Sequence, residues 1–275
     1  MAGLRELKSR LSSINTVGQL AGAMRTVSAA KYSRISNVRN GFSPYAEACR
    51  EMMEEFGSAL AEAMPCGDPQ APPCYVVIAG NRGLCGGYNS ELTIYATKVL
   101  RELETPYVLV TLGKKAEAAM KDSGFAIERA FEIPDVPDFD ACRELLDYLR
   151  EGYLEGSFSS LWIIHQKFIN MLTREAVTAQ ILPMSFEPVE QKAQELFVPD
   201  KETVLKSAVL RCFDSVVYST VLEAAAGAQA ATLVAMRSAY DNAQESIADL
   251  ETEISRKRQS EVTAGVLETA SDFME

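Results

Sequence analysis

The sequence predicts an α/β protein in which two long terminal helices pair antiparallel and a central α/β domain hangs between them. Three observations lead there. Val204 to Ser271 contains no proline, is rich in alanine, and carries Leu233, Met236, Ala239, Tyr240, Ala243, Ile247, Leu250 and Ile254 at steps of three and four, one stripe of a helix. The first residues repeat the pattern with Leu4, Leu7, Leu11, Ile14, Val17, Ala21, Met24 and Val27. Between the two ends, short apolar runs alternate with helix-length segments, as in a sheet of mostly parallel strands.

Taken in order, the first helical segment fills residues 1–62. Gly41-Phe42-Ser43-Pro44 interrupts it, with a kink expected near Pro44 or a second piece capped by Ser43. Pro65, Pro69, Pro72 and Pro73 then mark a linker into a domain at 74–185. Cys74 to Ala79 is a continuous apolar run, the mark of a strand buried on both faces. Gly80 to Gly87 is a glycine-rich loop, and Asn89 or Ser90 can cap a helix to about Leu103. Tyr107 to Leu112 is a strand, Lys114 to Asp122 a helix, and Phe125 to Ala130 a weaker strand. A helix follows from Phe139 to Glu151, then strands at Leu161 to Phe168 and Thr173 to Leu182. Pro183, Pro188 and Pro199 space an irregular exit to the last helix, 201–275. Its 68 proline-free residues would span roughly 100 Å if unbroken, at 1.5 Å per residue. A domain of this size cannot cover such a stripe, so part of it must lie on another helix or inside a partner.

The formal net charge of −11 argues against nucleic acid as the main ligand. The charge is uneven. Residues 1–39 hold Arg5, Lys8, Arg10, Arg25, Lys31, Arg34 and Arg39 against Glu6 alone, a net +6 that leaves about −17 for the rest. That basic, acid-poor helix shares features with transit peptides, but its pattern runs on past residue 30. No apolar run is long enough to span a membrane. The six cysteines form no CxxC and suggest no metal site, and with no secretory signal they read as reduced thiols.

The loop Gly80-Asn81-Arg82-Gly83-Leu84-Cys85-Gly86-Gly87 stands between a strand and a helix, where α/β proteins bind phosphate. It is neither a Walker loop nor GxGxxG. Its glycines read either as a tight structural turn or as a nucleotide cradle. Cys85 could be a thiolate at a helix start, but its only possible histidine partner, His165, lies in an apolar strand. No catalytic constellation, cofactor site or metal site emerges. The basic cluster Arg256-Lys257-Arg258-Gln259 stands out near the end of an otherwise acidic helix.

These residues also carry a resemblance. The chain resembles the gamma subunits of F-type ATP synthases, the central rotor shaft. Ala23-Met24-Arg25-Thr26-Val27-Ser28-Ala29-Ala30-Lys31 is similar to that family's N-terminal motif. Arg82-Gly83-Leu84-Cys85-Gly86-Gly87-Tyr88-Asn89 is similar to its RGLCGG loop. Ala235-Met236, Asn242-Ala243, Arg256 to Gln259 and Val262-Thr263 are similar to its C-terminus, and the chain departs from the pattern at Gln19, Thr232 and Gly265.

The resemblance implies an antiparallel coiled coil plus a Rossmann-like α/β domain, with no catalysis or nucleotide binding of its own. It implies a role in coupling ion flow through a membrane ring to ATP synthesis or hydrolysis. The implied partners are the alpha and beta subunits, epsilon and the c-ring, at the cytoplasmic face of the cell membrane. Met24, Arg25, Arg256, Arg258, Gln259 and Thr263 would meet the alpha/beta ring. The loop Arg82, Gly83, Leu84, Cys85, Gly86 and Gly87 would belong to the domain facing epsilon and the c-ring. The alanines at 29, 30, 224–226 and 230–231 would let the two helices approach closely. From the residues alone, an α/β nucleotide-binding enzyme with helical extensions, or a coiled-coil adaptor, stands as the alternative.

Overall fold

The structure is a computed structural model that describes residues 2–63, 68–184 and 198–272. Pro65, Cys66 and Pro188 lie outside the described residues. The chain divides into two compact units, residues 1–28 with 233–275 and residues 29–232. The helices α1 (Ala2–Ala63) and α5 (Lys201–Asp272) each contribute to both.

In the first unit α1 and α5 pair antiparallel. A side-chain carbon added at Gly3 would meet Lys257, one at Gly18 would meet Ala243, and one at Gly22 would meet Tyr240, so rising numbers on α1 face falling numbers on α5. The seam differs from the expected stripe. Ala21 is buried as expected, but Val17 and Val27 are more than half exposed, and Gly18 and Ser28 point inward in their place. Small side chains win these positions because the backbones run close. The virtual Cβ of Gly18 lies 3.2 Å from the Cβ of Ala243, which leaves no room for valine. The stripe on α5 follows expectation, with Met236, Ala243 and Leu250 buried.

The second unit contains a five-stranded sheet. Its strands are β1 (Cys74–Ile78), β2 (Val108–Leu112), β3 (Arg129–Phe131), β4 (Leu161–Phe168) and β5 (Arg174–Leu182), in the spatial order β3-β2-β1-β4-β5. All neighbours are parallel except β4 and β5, which form an antiparallel hairpin. The strand order reverses between β1 and β4. In open α/β sheets a ligand crevice forms at such a reversal, beyond the carboxyl ends of the strands.

Alternation along β1 explains the layers. Cys74, Val76 and Ile78 point to one face, where α4 (Phe139–Leu154) and parts of α1 and α5 cover them through Leu145, Leu149, Ile35, Leu60, Val217 and Leu222. Tyr75 and Val77 point to the other, under α2 (Tyr88–Arg101) and α3 (Lys114–Asp122) through Leu92, Leu100 and Met120. A strand buried on both faces has no polar side to show, so its run is wholly apolar.

α1 continues as one helix through Pro44 and leaves helical angles at Phe56 (φ −112°, ψ 16°). Proline removes one backbone hydrogen bond and crowds the preceding turn. Packing holds the helix there all the same: Phe42 meets the Tyr218 ring edge-on at 4.8 Å, and Ile35 is fully buried. The weak strand expected over 125–130 shrinks to β3, beyond which Ile133 still joins the core.

Candidate functional site

The glycine-rich loop lies at the strand-order reversal, where a phosphate site would be. It folds around one side chain. Asn89 accepts from the Gly80 backbone N–H at 3.1 Å and donates to the Arg82 carbonyl at 3.0 Å, with its Nδ2 also 3.1 Å from Cys85 Sγ. Asn89 therefore reaches back to close the loop rather than capping α2, whose N-cap is Gly87 with no side-chain bond. Leu84 takes a left-handed conformation (φ 64°) and remains 56% exposed. Gly113 backs the loop from the end of β2. Its φ is 94°, and a Cβ there would fall 2.2 Å from the Ala79 carbonyl, so only glycine fits.

Two helix starts beside the loop are already engaged. The Lys114 N–H donates to Asn81 Oδ1 at 3.3 Å and the Lys115 N–H to the Gly80 carbonyl at 3.1 Å, which uses the first turn of α3. At the first turn of α2, the Glu91 carboxylate lies where a Gly87 side chain would be and pairs with Arg174 at 3.0 Å. It occupies the helix end that would attract an anion.

Helix α5 closes the crevice. Val221, Ala224, Ala225, Ala228 and Thr232 line a residual cavity of about 60 Å³ with Ile78, Asn81 and Cys85. Ligand pockets run to about 300–1,000 Å³, so no nucleotide enters this space. Tyr88 locks the closure: its fully buried hydroxyl donates to the Ala224 carbonyl at 2.7 Å, and burial pushes its pKa up, with Cys85 adding to the rise. Of the α5 alanines, Ala224 and Ala226 join the core that includes Ile35 of α1, and Ala231 with Ala228 packs on Cys85 and Tyr88, while Ala29 and Ala30 on α1 are exposed.

Cys85 is buried in this packing and His165 is buried in β4, its Nδ1 without a hydrogen-bond partner. Among the described residues no group of histidine, cysteine and carboxylate side chains could hold a metal.

The residues expected to meet a surrounding ring all lie in the first unit. Arg256, Arg258, Gln259 and Thr263 are exposed on α5. Met24 and Arg25 are half-buried, and the Arg25 guanidinium sits 4.9 Å from the centre of the Tyr240 ring. Beside them Val17, Leu20, Val27, Val262 and Val266 stand more than half exposed.

Sequence reasoning missed Asp135. Its carboxylate binds Lys31 at 2.5 Å and Asn81 Nδ2 at 3.2 Å, with Arg82 at 3.7 Å. Burial raises its pKa, but Lys31, Asn81 and Arg82 outweigh that and hold it below the usual carboxylate value. The sequence offers no cue beyond the residue's place between Pro134 and Pro137.

Comparison with known proteins accords with this geometry. The family model described as ATP synthase matches residues 3–272. An ATP synthase gamma chain of Staphylococcus haemolyticus is 29% identical, over 98% of this chain and 97% of its own length. One from Pelotomaculum thermopropionicum is 27% identical over the same shares. Among solved structures, a chain of the Euglena gracilis mitochondrial ATP synthase (OSCP/F1/c-ring, rotational state 3) shares the fold, with a TM-score of 0.67, 18% identity, and coverage of 99% of this chain and 94% of that one.

Proposed function

The chain belongs to the ATP synthase family, and from that membership we propose that it is the gamma subunit, the rotor of the central stalk. It makes and breaks no bond itself. It couples ion flow through a membrane ring of c subunits to ATP synthesis or hydrolysis on the alpha/beta ring.

The observation that carries this reading is the antiparallel pairing of residues 1–28 with 233–275. A pair of helices has no threefold symmetry. Turned inside a ring of three alpha and three beta subunits, it offers each beta subunit a different face, and each site a different affinity. Arg25, Arg256, Arg258, Gln259 and Thr263 supply polar contacts to that ring, and Met24, Val17, Leu20, Val27, Val262 and Val266 supply apolar ones. The loop 82–87 belongs to the α/β domain that meets epsilon and the c-ring. No described helix is long and apolar enough to cross a membrane. On the rotor reading, the complex holds the chain at the cytoplasmic face of the cell membrane.

The engaged first turn of α3 and the Glu91 carboxylate at the start of α2 count against the nucleotide-binding alternative. Reconstitution of alpha and beta subunits with and without this chain tests the proposal. The chain should enter the ring in one copy and raise steady ATP turnover. Turnover and assembly unaffected by its presence would sink the reading.

A further inference from the structure

Within residues 29–232 both long helices are tied to the same end of the sheet, by unlike means. On α5, Glu223 accepts from the Phe168 N–H at 3.0 Å, and the Ala224 carbonyl accepts from Tyr88. On α1, the Tyr32 ring lies 6.2 Å from that of Phe168, and one residue earlier Lys31 binds Asp135. Buried apolar packing of Ile35, Phe42 and Leu60 resists separation and large roll of α1. A directional, charge-assisted bond adds resistance to small rotations where α1 enters this unit.

The Lys31 bond is built to be directional. Asn81 donates to both the Ile133 carbonyl (2.7 Å) and Asp135 Oδ1 (3.2 Å), which holds the carboxylate in place before Lys31 reaches the other oxygen. Both partners are mostly shielded from water, at 25% and 16% exposure, so solvent screens the pair weakly. Arg82, 74% exposed and at 3.7 Å, adds charge but little rigidity. Lys31 lies three residues past the point where α1 enters this unit.

We propose that the Lys31–Asp135 pair, braced by Asn81, is the pin that limits small rotations of α1 against the α/β domain, so that torque on one is delivered to the other. The torque role rests on the rotor reading; the pin itself does not. It also gives the glycine-rich loop a task, since Asn81 and Arg82 are two of its residues.

Two measurements on the full chain separate these claims. In the isolated chain, Lys31→Met should speed hydrogen exchange of the Lys114 and Lys115 amides, which donate to Asn81 and Gly80, by about tenfold, as local opening becomes easier, while Lys31→Arg stays near wild type. Unchanged exchange in Lys31→Met overturns the pin. In the complex with alpha and beta, a bead is attached through an exposed Glu104→Cys, and its angular variance during a catalytic pause reads the compliance of the joint. Lys31→Met and Asp135→Asn should raise that variance at least about twofold, and Lys31→Arg should restore it, since apolar packing alone resists small rotations less than a charge-assisted bond does. Variance equal to wild type in Lys31→Met, or Lys31→Arg as soft as Lys31→Met, overturns the torque role. A wild-type chain that fails to assemble removes both the rotor reading and the torque role, while exchange still decides the pin.

Discussion

Arg25 lies over Tyr240, its guanidinium carbon 4.9 Å from the ring centre, at the turn where the same ring edge comes within 3.2 Å of a Cβ built on Gly22. The two contacts show how the helix pair closes: a missing side chain admits the ring, and a cation covers it.

Larger residues at the seam should therefore push the helices apart. Gly22→Val or Gly18→Val should cost about 1–3 kcal/mol, the usual range for overpacking. Arg25→Ala should cost only about 0.5–1 kcal/mol, the worth of one cation–π contact at a partly exposed site. Urea unfolding followed by circular dichroism checks the order of the three.

On the outer face the opposite should hold. Arg258→Ala with Gln259→Ala removes exposed side chains, so stability should change by less than about 0.5 kcal/mol. Ion pumping per ATP hydrolysed should fall, because these side chains serve a partner. Pumping equal to wild type would count against the assigned contact.

How far the sequence revealed this arrangement depends on the kind of contact. The limits of β4 and α3 follow directly from apolar runs and periodicity, because each is set by burial within a few residues. The seam is different. Val17 and Val27 fit the stripe by hydropathy, yet Gly18 and Ser28 occupy it, because close approach selects for size and only the facing helix sets the space. Pro44 shows the same limit, where packing around Phe42 outweighs a local breaker. Lys31 and Asp135 are 104 residues apart, and no local pattern joins them. The loop at 80–87 was placed correctly between strand and helix, but its chemistry was legible only once α5 was seen to close the crevice.

His165 should make the fold sensitive to mild acid. Burial pushes its pKa below the ordinary 6.5, against a smaller pull upward from Glu223. Below pH 6.5 the unfolded chain takes up a proton that the folded chain refuses, so stability falls as pH drops through that window. The slope approaches about 1.4 kcal/mol per pH unit for one proton. His165→Gln should flatten the urea midpoint between about pH 6.5 and 5, above the range where carboxylates titrate. Asp135 acts at lower pH: its stabilisation is present above the ordinary carboxylate pKa of 3.8 and is lost as pH falls through its lowered value.

The five cysteines among the described residues should be inert in the folded chain. Burial pushes the thiols of Cys74, Cys142 and Cys212 up to about 12, and Cys49 and Cys85 are buried as well. At pH 8 a thiol of that pKa is about one part in ten thousand thiolate, the reactive form. In a Cys66→Ser variant, reaction with a disulfide reagent such as dithiobis(nitrobenzoate) should be slow until urea exposes all five thiols together. Fast reaction of one thiol in the native chain would show that its packing opens locally.

The central claim is that residues 1–28 and 233–275 turn as one body inside an alpha/beta ring. Single-molecule observation tests it most directly, with the ring fixed to glass and a probe on Glu104→Cys, an exposed residue of the α/β domain. With ATP present, the probe should turn in one direction and pause three times per revolution, once for each beta subunit. A ring that hydrolyses ATP at full rate while the probe stays still would contradict the account.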